Sequence, residues 1–218
     1  MILQNHRSTL LFLLFVGMIT VDACRKKYYA TAEHMAEYGW ELYESKDYLN
    51  SNVWFNDALV NDSKWKDGYN GLGWSYAKLM VIDSSIAHFK TGLEKTQNTW
   101  DTTDVHAEIL AGLTFAYHAN KNDAKAIEYG RAFLDSTVKP LKKQWAFSHD
   151  SLLNYLDVRV TLAASYFAKS KFDSTIIQVT VILDSLKSSE VAVTDTTLEG
   201  RRQMAKQIMT LQKLLFTK

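Results

Sequence analysis

A single cysteine among 218 residues rules out a disulfide within one chain. One proline, Pro140, and nine glycines leave little of the turn chemistry that punctuates all-β folds. Neither sign of charge is in excess, with 25 Lys and Arg against 24 Asp and Glu for a formal +1. The longest basic run is Arg25–Lys27, with no more than pairs such as Arg201–Arg202 elsewhere, so nucleic acid is not expected as a partner. No glycine-rich phosphate loop or dinucleotide fingerprint is present, and no strand-turn-helix elbow frames a serine nucleophile. His106-Ala-Glu108 lacks the second histidine of a metalloprotease helix. His106 and His118 stand twelve residues apart, more than three turns, too far to share one metal from one helix. Asp104 and Glu108 share a helix face, which is ordinary at a solvated surface. No catalytic residue, metal or cofactor is expected, and the chain is not read as an enzyme.

One apolar run exists, from Leu10 to Val21, with Arg7 before it and Asp22-Ala23-Cys24 after it. As a helix it would span about 18 Å, short of the roughly 30 Å hydrocarbon core. The segment reads as a signal peptide over 1–23, with an uncleaved inner-membrane anchor as the competing reading. Val21 and Ala23 before Cys24 resemble the lipobox of bacterial lipoproteins, whose cysteine becomes the acylated first residue. Asp22 stands where a small neutral residue is usual. Acylation of Cys24 would give stable anchoring, at about 0.8 kcal/mol per buried CH₂. Residues 24–31 would then be a lipidated tether, with Arg25, Lys26 and Lys27 at the headgroups.

Beyond Lys27 the apolar residues recur at spacings of three and four, so the chain is expected to be all-α. The breaks at 44–47, 60–64, 96–104, 120–123 and 170–173 are rich in Asp, Asn, Ser, Thr and Lys. They divide the helices into pairs: 29–45 with 47–60, 64–80 with 83–96, 103–119 with 123–136, and 148–169 with 172–187. Asp47, Asp83, Asp123 and Asp173 lie at or near the start of each second helix, where a carboxylate satisfies orphan N–H groups. Thr196 and Glu199 form a capping box that opens a last helix over 197–215. Gly39 and Gly73, 34 residues apart, are each followed by Trp and matched by Phe55 and Phe89 sixteen residues later.

These residues carry a resemblance to the tetratricopeptide-repeat (TPR) family. Gly39, Leu42, Tyr48, Phe55 and Ala58 occupy signature sites of a unit 32–65. Tyr69, Leu72, Gly73, Tyr76, Ile82, Phe89 and Gly92 do so in 66–99. A third unit, 107–140, supplies Leu110, Leu113, Thr114, Tyr117 and Ala126, with Gly130 where a large residue belongs. The fourth, 156–189, has Leu162, Ala163, Tyr166, Phe172, Val179 and Ile182. The resemblance implies a right-handed solenoid of antiparallel helix hairpins: a TPR-like domain of about four hairpins over 32–189, then a C-terminal capping helix over 190–218.

It also implies a concave groove that binds a protein or peptide. By motif position that groove contains Glu33, Ala36, Trp40, Tyr43 and Glu44, then Asp67, Asn70, Trp74, Ala77 and Lys78. The later units add Glu108, Ala111, Phe115, His118 and Ala119, then Asp157, Val160, Ala164, Phe167 and Ala168. One column would be Trp40, Trp74 and Phe115; another would be acidic, from Glu33 through Asp67 and Glu108 to Asp157. The Lys/Asn/Arg carboxylate clamp of some family members is missing. The tryptophans either anchor apolar side chains of a ligand or bury against a neighbouring hairpin or the last helix. The expected protein is a non-enzymatic interaction scaffold of the bacterial cell envelope, lipid-anchored and facing the periplasm from the outer membrane. Its layout resembles lipoproteins of outer-membrane assembly machines and pilus pilotins. The alternative is a self-associating structural component of the envelope or of a surface assembly.

The tether gives a direct test. Protein extracted from membranes should begin at Cys24 and carry acyl chains by intact-mass measurement, and Cys24→Ser should lose both features. A wild-type chain that is soluble and begins elsewhere would refute it.

Overall fold

The end of every first helix is built alike. In the computed structural model, which describes residues 30–96, 104–135 and 145–216, four helix pairs follow one another. They are α1 Ala32–Glu44 with α2 Tyr48–Asn61, and α3 Lys66–Lys78 with α4 Ile82–Leu93. Next come α5 Val105–Ala119 with α6 Asp123–Asp135, and α7 Tyr155–Ala168 with α8 Phe172–Ser185. Lys46, Met80, Lys121 and Ser170 take the left-handed conformation just past α1, α3, α5 and α7. The following amide reaches back to a carbonyl of the last turn in each case: Asp47 to Leu42, Val81 to Tyr76, Asn122 to Tyr117 and Lys171 to Tyr166. This Schellman closure satisfies orphan carbonyls and turns the chain back in a few residues. The acids expected at the second helices are there, with Asp47 capping α2 through the Asn50 amide and Asp83, Asp123 and Asp173 in first turns.

Each second helix packs against its own partner and against the first helix of the next pair. Phe55 of α2 is wholly buried between Gly39 of α1 and Gly71 of α3. Phe89 of α4 lies in the same way between Gly73 of α3 and Gly112 of α5. A helical glycine costs about 1 kcal/mol relative to alanine. Here it opens room for a phenylalanine whose full burial contributes roughly 1.5–3 kcal/mol. Four residues before each ring, Ser51 and Ser85 donate to the carbonyls of Gly39 and Gly73, at 2.9 and 2.7 Å. Thr175 approaches the Ala163 carbonyl at 3.5 Å in the fourth pair. In the third pair Ala126 stands at that place. There, too, the large and small partners are exchanged: Gly130 of α6 makes room for Leu162 of α7. That exchange explains a glycine where the repeat pattern asks for a large side chain.

The array is thus a TPR-like helical solenoid, closed at its far end by α9, Leu198–Phe216. Met204, Ile208, Leu211 and Leu215 pack with Leu156, Val160 and Ala163 of α7, while Leu198 and Phe216 stay exposed. The cap of α9 is Thr197 rather than Thr196. Asp195 accepts the Thr197 amide and hydroxyl hydrogens, and the Thr197 oxygen accepts the Gly200 amide.

The largest departure from the sequence expectation lies at 148–154, read above as the first turns of a helix. Those residues belong to an antiparallel hairpin of β1, Ala146–Phe147, and β2, Asp150–Asn154. α7 begins only at Tyr155, because Asn154 and Asp157 form a reciprocal capping box there. The signal peptide and Cys24 lie outside the described residues.

Replacing Gly73 by Leu should overpack the seam at Phe89 and lower the unfolding free energy by about 1–3 kcal/mol or more. Urea denaturation reads the change, and an unchanged midpoint would contradict the ring-on-glycine packing.

Candidate functional site

The first helices, α1, α3, α5 and α7, pack side by side and form the inner face of the stack. The aromatic column expected on that face is built, but the chain itself covers it. Trp40, Tyr43 and Trp74 are only 4%, 3% and 5% exposed. The hairpin drives Phe147, itself 1% exposed, between them. Its ring stacks on Trp74 at 4.3 Å and meets Trp40 and Tyr43 edge-on at 5.9 and 6.0 Å. Trp74 then meets Phe115 at 6.1 Å. The order is therefore Trp40, Phe147, Trp74, Phe115, and the column is closed rather than open. His149, two residues on, lies flat over Trp40, with centroids 3.7 Å apart and planes 3° from parallel.

The acidic column lies largely beneath this hairpin. Glu33 is exposed, whereas Glu108 and Asp157 are buried. Asp67 keeps some exposure as a residue, but its carboxylate end is enclosed: Oδ2 accepts the Trp40 indole N–H at 2.7 Å and Oδ1 accepts an Asn70 amide hydrogen. Asn70 also donates to Glu108 Oε2, at 2.7 Å. Glu108 Oε1 accepts both the amide and the hydroxyl of Ser148, at 3.2 and 2.5 Å. Asp157 accepts the Asn154 amide at the start of α7. The hairpin has two more polar anchors, His149 Nδ1 with Glu44 at 2.9 Å and Asp150 with Lys78 at 3.7 Å.

Burial raises the affinity of both inner carboxyls for a proton. Glu108 is pushed up to about 7; the charge on Asp67 adds to the effect, and hydrogen bonds from Ser148 and Asn70 oppose it. Asp67 is raised by burial against the hydrogen bonds from Trp40 and Asn70. Burial likewise lifts the Tyr43 hydroxyl above the usual phenol range.

Beyond the hairpin the inner face stays open. A cavity of about 460 Å³ is walled by Trp74, Ala77 and Lys78 of α3, Phe115, His118 and Ala119 of α5, Asp150, Leu152 and Leu153 of the hairpin, and Leu215 and Phe216 of α9. His118 Nδ1 lies 2.9 Å from both Asp123 and Ser165 at its edge. The eight candidate residues thus divide. Trp74, Lys78, Phe115 and His118 line the cavity; Trp40, Tyr43, Asp67 and Asn70 lie in the hairpin's seat. The residues that sequence reading missed are Phe147, Ser148 and His149. Their signal was the alternation of rings in Trp145-Ala-Phe147-Ser-His149, a strand period inside an otherwise helical pattern.

A carboxyl whose folded pKa is raised adds stability once it is protonated, and loses that contribution as pH rises through the folded value. For Glu108 the window runs from its ordinary 4.5 to about 7. Between pH 8 and pH 5 the wild type should gain about 1–3 kcal/mol relative to Glu108→Gln, read from urea unfolding of both chains. Parallel pH profiles for the two chains would show that Glu108 is not held in this state.

No protein-family model matches the chain. No curated protein matches it either. Among solved structures, the crystal structure of PilW, a widely conserved type IV pilus biogenesis factor, superposes with a TM-score of 0.59. The match covers 86% of this chain and 78% of PilW at 14% identity. At that identity the likeness is one of fold alone: the chain is a helical-repeat protein similar in architecture to PilW.

Proposed function

We propose that the chain is a non-enzymatic interaction scaffold of the bacterial cell envelope, tethered through Cys24, whose inner face holds a protein or peptide of an envelope assembly. The observation that carries this reading is the inner face itself. It already holds a short peptide segment, its own hairpin, by ring contacts of Phe147 with Trp40 and Trp74 and by hydrogen bonds from Ser148 to Glu108, and it keeps a cavity of about 460 Å³ open beside it. A cavity with apolar walls at Trp74, Phe115 and Leu215 and a rim of Lys78, His118 and Asp150 suits one or two apolar side chains of a partner. The architecture shared with PilW, a pilus biogenesis factor, supports a partner from a surface assembly.

A second reading, self-association, is favoured by one feature. Leu49, Val53 and Val60 are 69%, 54% and 87% exposed, and their spacing puts them along one face of α2, on the first pair. Sedimentation of the purified chain distinguishes the two readings, since self-association gives a mass that rises with concentration.

A photoreactive phenylalanine analogue at position 119, on the exposed cavity wall, should capture one distinct protein in the native cell. The same analogue at position 60 should not. Phe115→Ala should weaken binding of that protein by about 2 kcal/mol or more, as truncation of a buried interface ring does. Capture of nothing, or only of a second copy of the chain, would overturn the scaffold reading.

A further inference from the structure

Two equivalent interfaces between repeats are hydrogen-bonded differently. Trp40 of the first unit donates its indole N–H to Asp67, the acid at the second position of the next unit. Trp74 occupies the place of Trp40 in the second unit, and Glu108 the place of Asp67 in the third. Glu108 is not bonded to Trp74. It accepts from Ser148 of the hairpin and from Asn70, and the buried Trp74 indole N–H has no hydrogen-bond partner among the described residues. The hairpin has taken the acid that the repeat register assigns to the tryptophan. A buried donor without an acceptor is a cost that the seated hairpin leaves in place.

The hairpin is also seated as a ligand would be. Phe147 packs between Trp40 and Trp74, which come from two different repeats, while Ser151 of the hairpin faces solvent. Its strands are two and five residues long, and such a ribbon has marginal stability by itself. Its seat is acidic, with Glu44, Asp67 and Glu108 gathered near Ser148 and His149. Lys78 faces Asp150 at the rim.

We propose that the hairpin Ala146–Asn154 is a built-in ligand of the inner face, and that the protein partner displaces it with a segment of the same chemistry. That segment carries an aromatic ring, then a hydrogen-bond donor, then a flat imidazole or guanidinium group, with an acid following. The ring takes the place of Phe147 between Trp40 and Trp74. The donor faces Glu108, the flat cationic group lies over Trp40 beside Glu44, and the acid meets Lys78. While the hairpin is out, Glu108 is free to accept the Trp74 N–H, so the register left open in the closed state is completed during exchange. This rests on the scaffold reading and adds to it a gate and a recognition pattern.

The probe is a labelled synthetic peptide of residues 145–154, titrated by fluorescence anisotropy into the full chain. A variant with Phe147→Ala and Ser148→Ala, which loosens the hairpin and leaves the groove walls intact, should bind it at least tenfold more tightly than wild type. Adding Trp40→Ala to that variant should remove the gain. Equal affinity for the loosened variant and wild type, with helicity and cooperative melting retained, would overturn the proposal. If the loosened variant does not fold, hydrogen exchange of the wild type decides instead. Excess peptide should accelerate exchange of the Phe147 and Ser148 amides at least tenfold while α1 and α3 stay protected. Exchange of those amides only with global unfolding would mark a fixed plug and sink the proposal. A protein captured through position 119 alongside a failed peptide experiment would leave the scaffold reading standing without the gate.

Discussion

The structure depends on a ring set between two glycines. Phe55 and Phe89 each touch two successive first helices at once, so one side chain fixes both the width of its own hairpin and the distance to the next. The interior transmits such a constraint because it is close-packed: a ring cannot shift without moving both backbones against it. Ser51 and Ser85 add a bond to the backbone of the same seam, which holds the two helices in register along their length. The regular stacking of the first helices, and hence the inner face, follows from these contacts.

That inner face is where the tension in the molecule lies. Stacking brings Trp40, Trp74 and Phe115 into one column and Asp67 and Glu108 into another, near the aromatic one. Left open, the first would expose large rings; the second would set two carboxylates close together. The hairpin resolves both. Phe147 fills the aromatic gap, and Ser148 supplies donors to an acid that burial has made reluctant to ionise. The Trp74 indole N–H has no acceptor among the described residues, whereas that of Trp40 is held by Asp67. The inner face is thus local and asymmetric, covered by the hairpin on one side and carrying the open cavity beside it.

The comparison with PilW fits this division of labour. The shared part is the helical-repeat fold, matched at 14% identity. Recognition is decided by the side chains turned inward and by what covers them, and a shared fold does not carry those over.

Sequence by itself determined the helices, their pairing and the seam. The reasons are local: apolar period, Asp near the second helices, and glycine matched with phenylalanine at fixed separation. It also brought the column residues to one face, since repeat register follows from that seam. It did not reveal that the seam reverses at Gly130 and Leu162, because the partner that compensates lies in the next repeat. Nor did it place the cap of α9, where Asp195 selects Thr197 over its neighbour by holding its amide and hydroxyl. Above all it could not decide whether the tryptophans were open. Trp40 and Trp74 lie 109 and 73 residues from the residue that stacks on each, His149 on the one and Phe147 on the other. A residue's period tells which face it occupies. Only the path of the whole chain determines what lies against that face, and here that path carries a strand-like segment, short enough to be read as helix, into the groove.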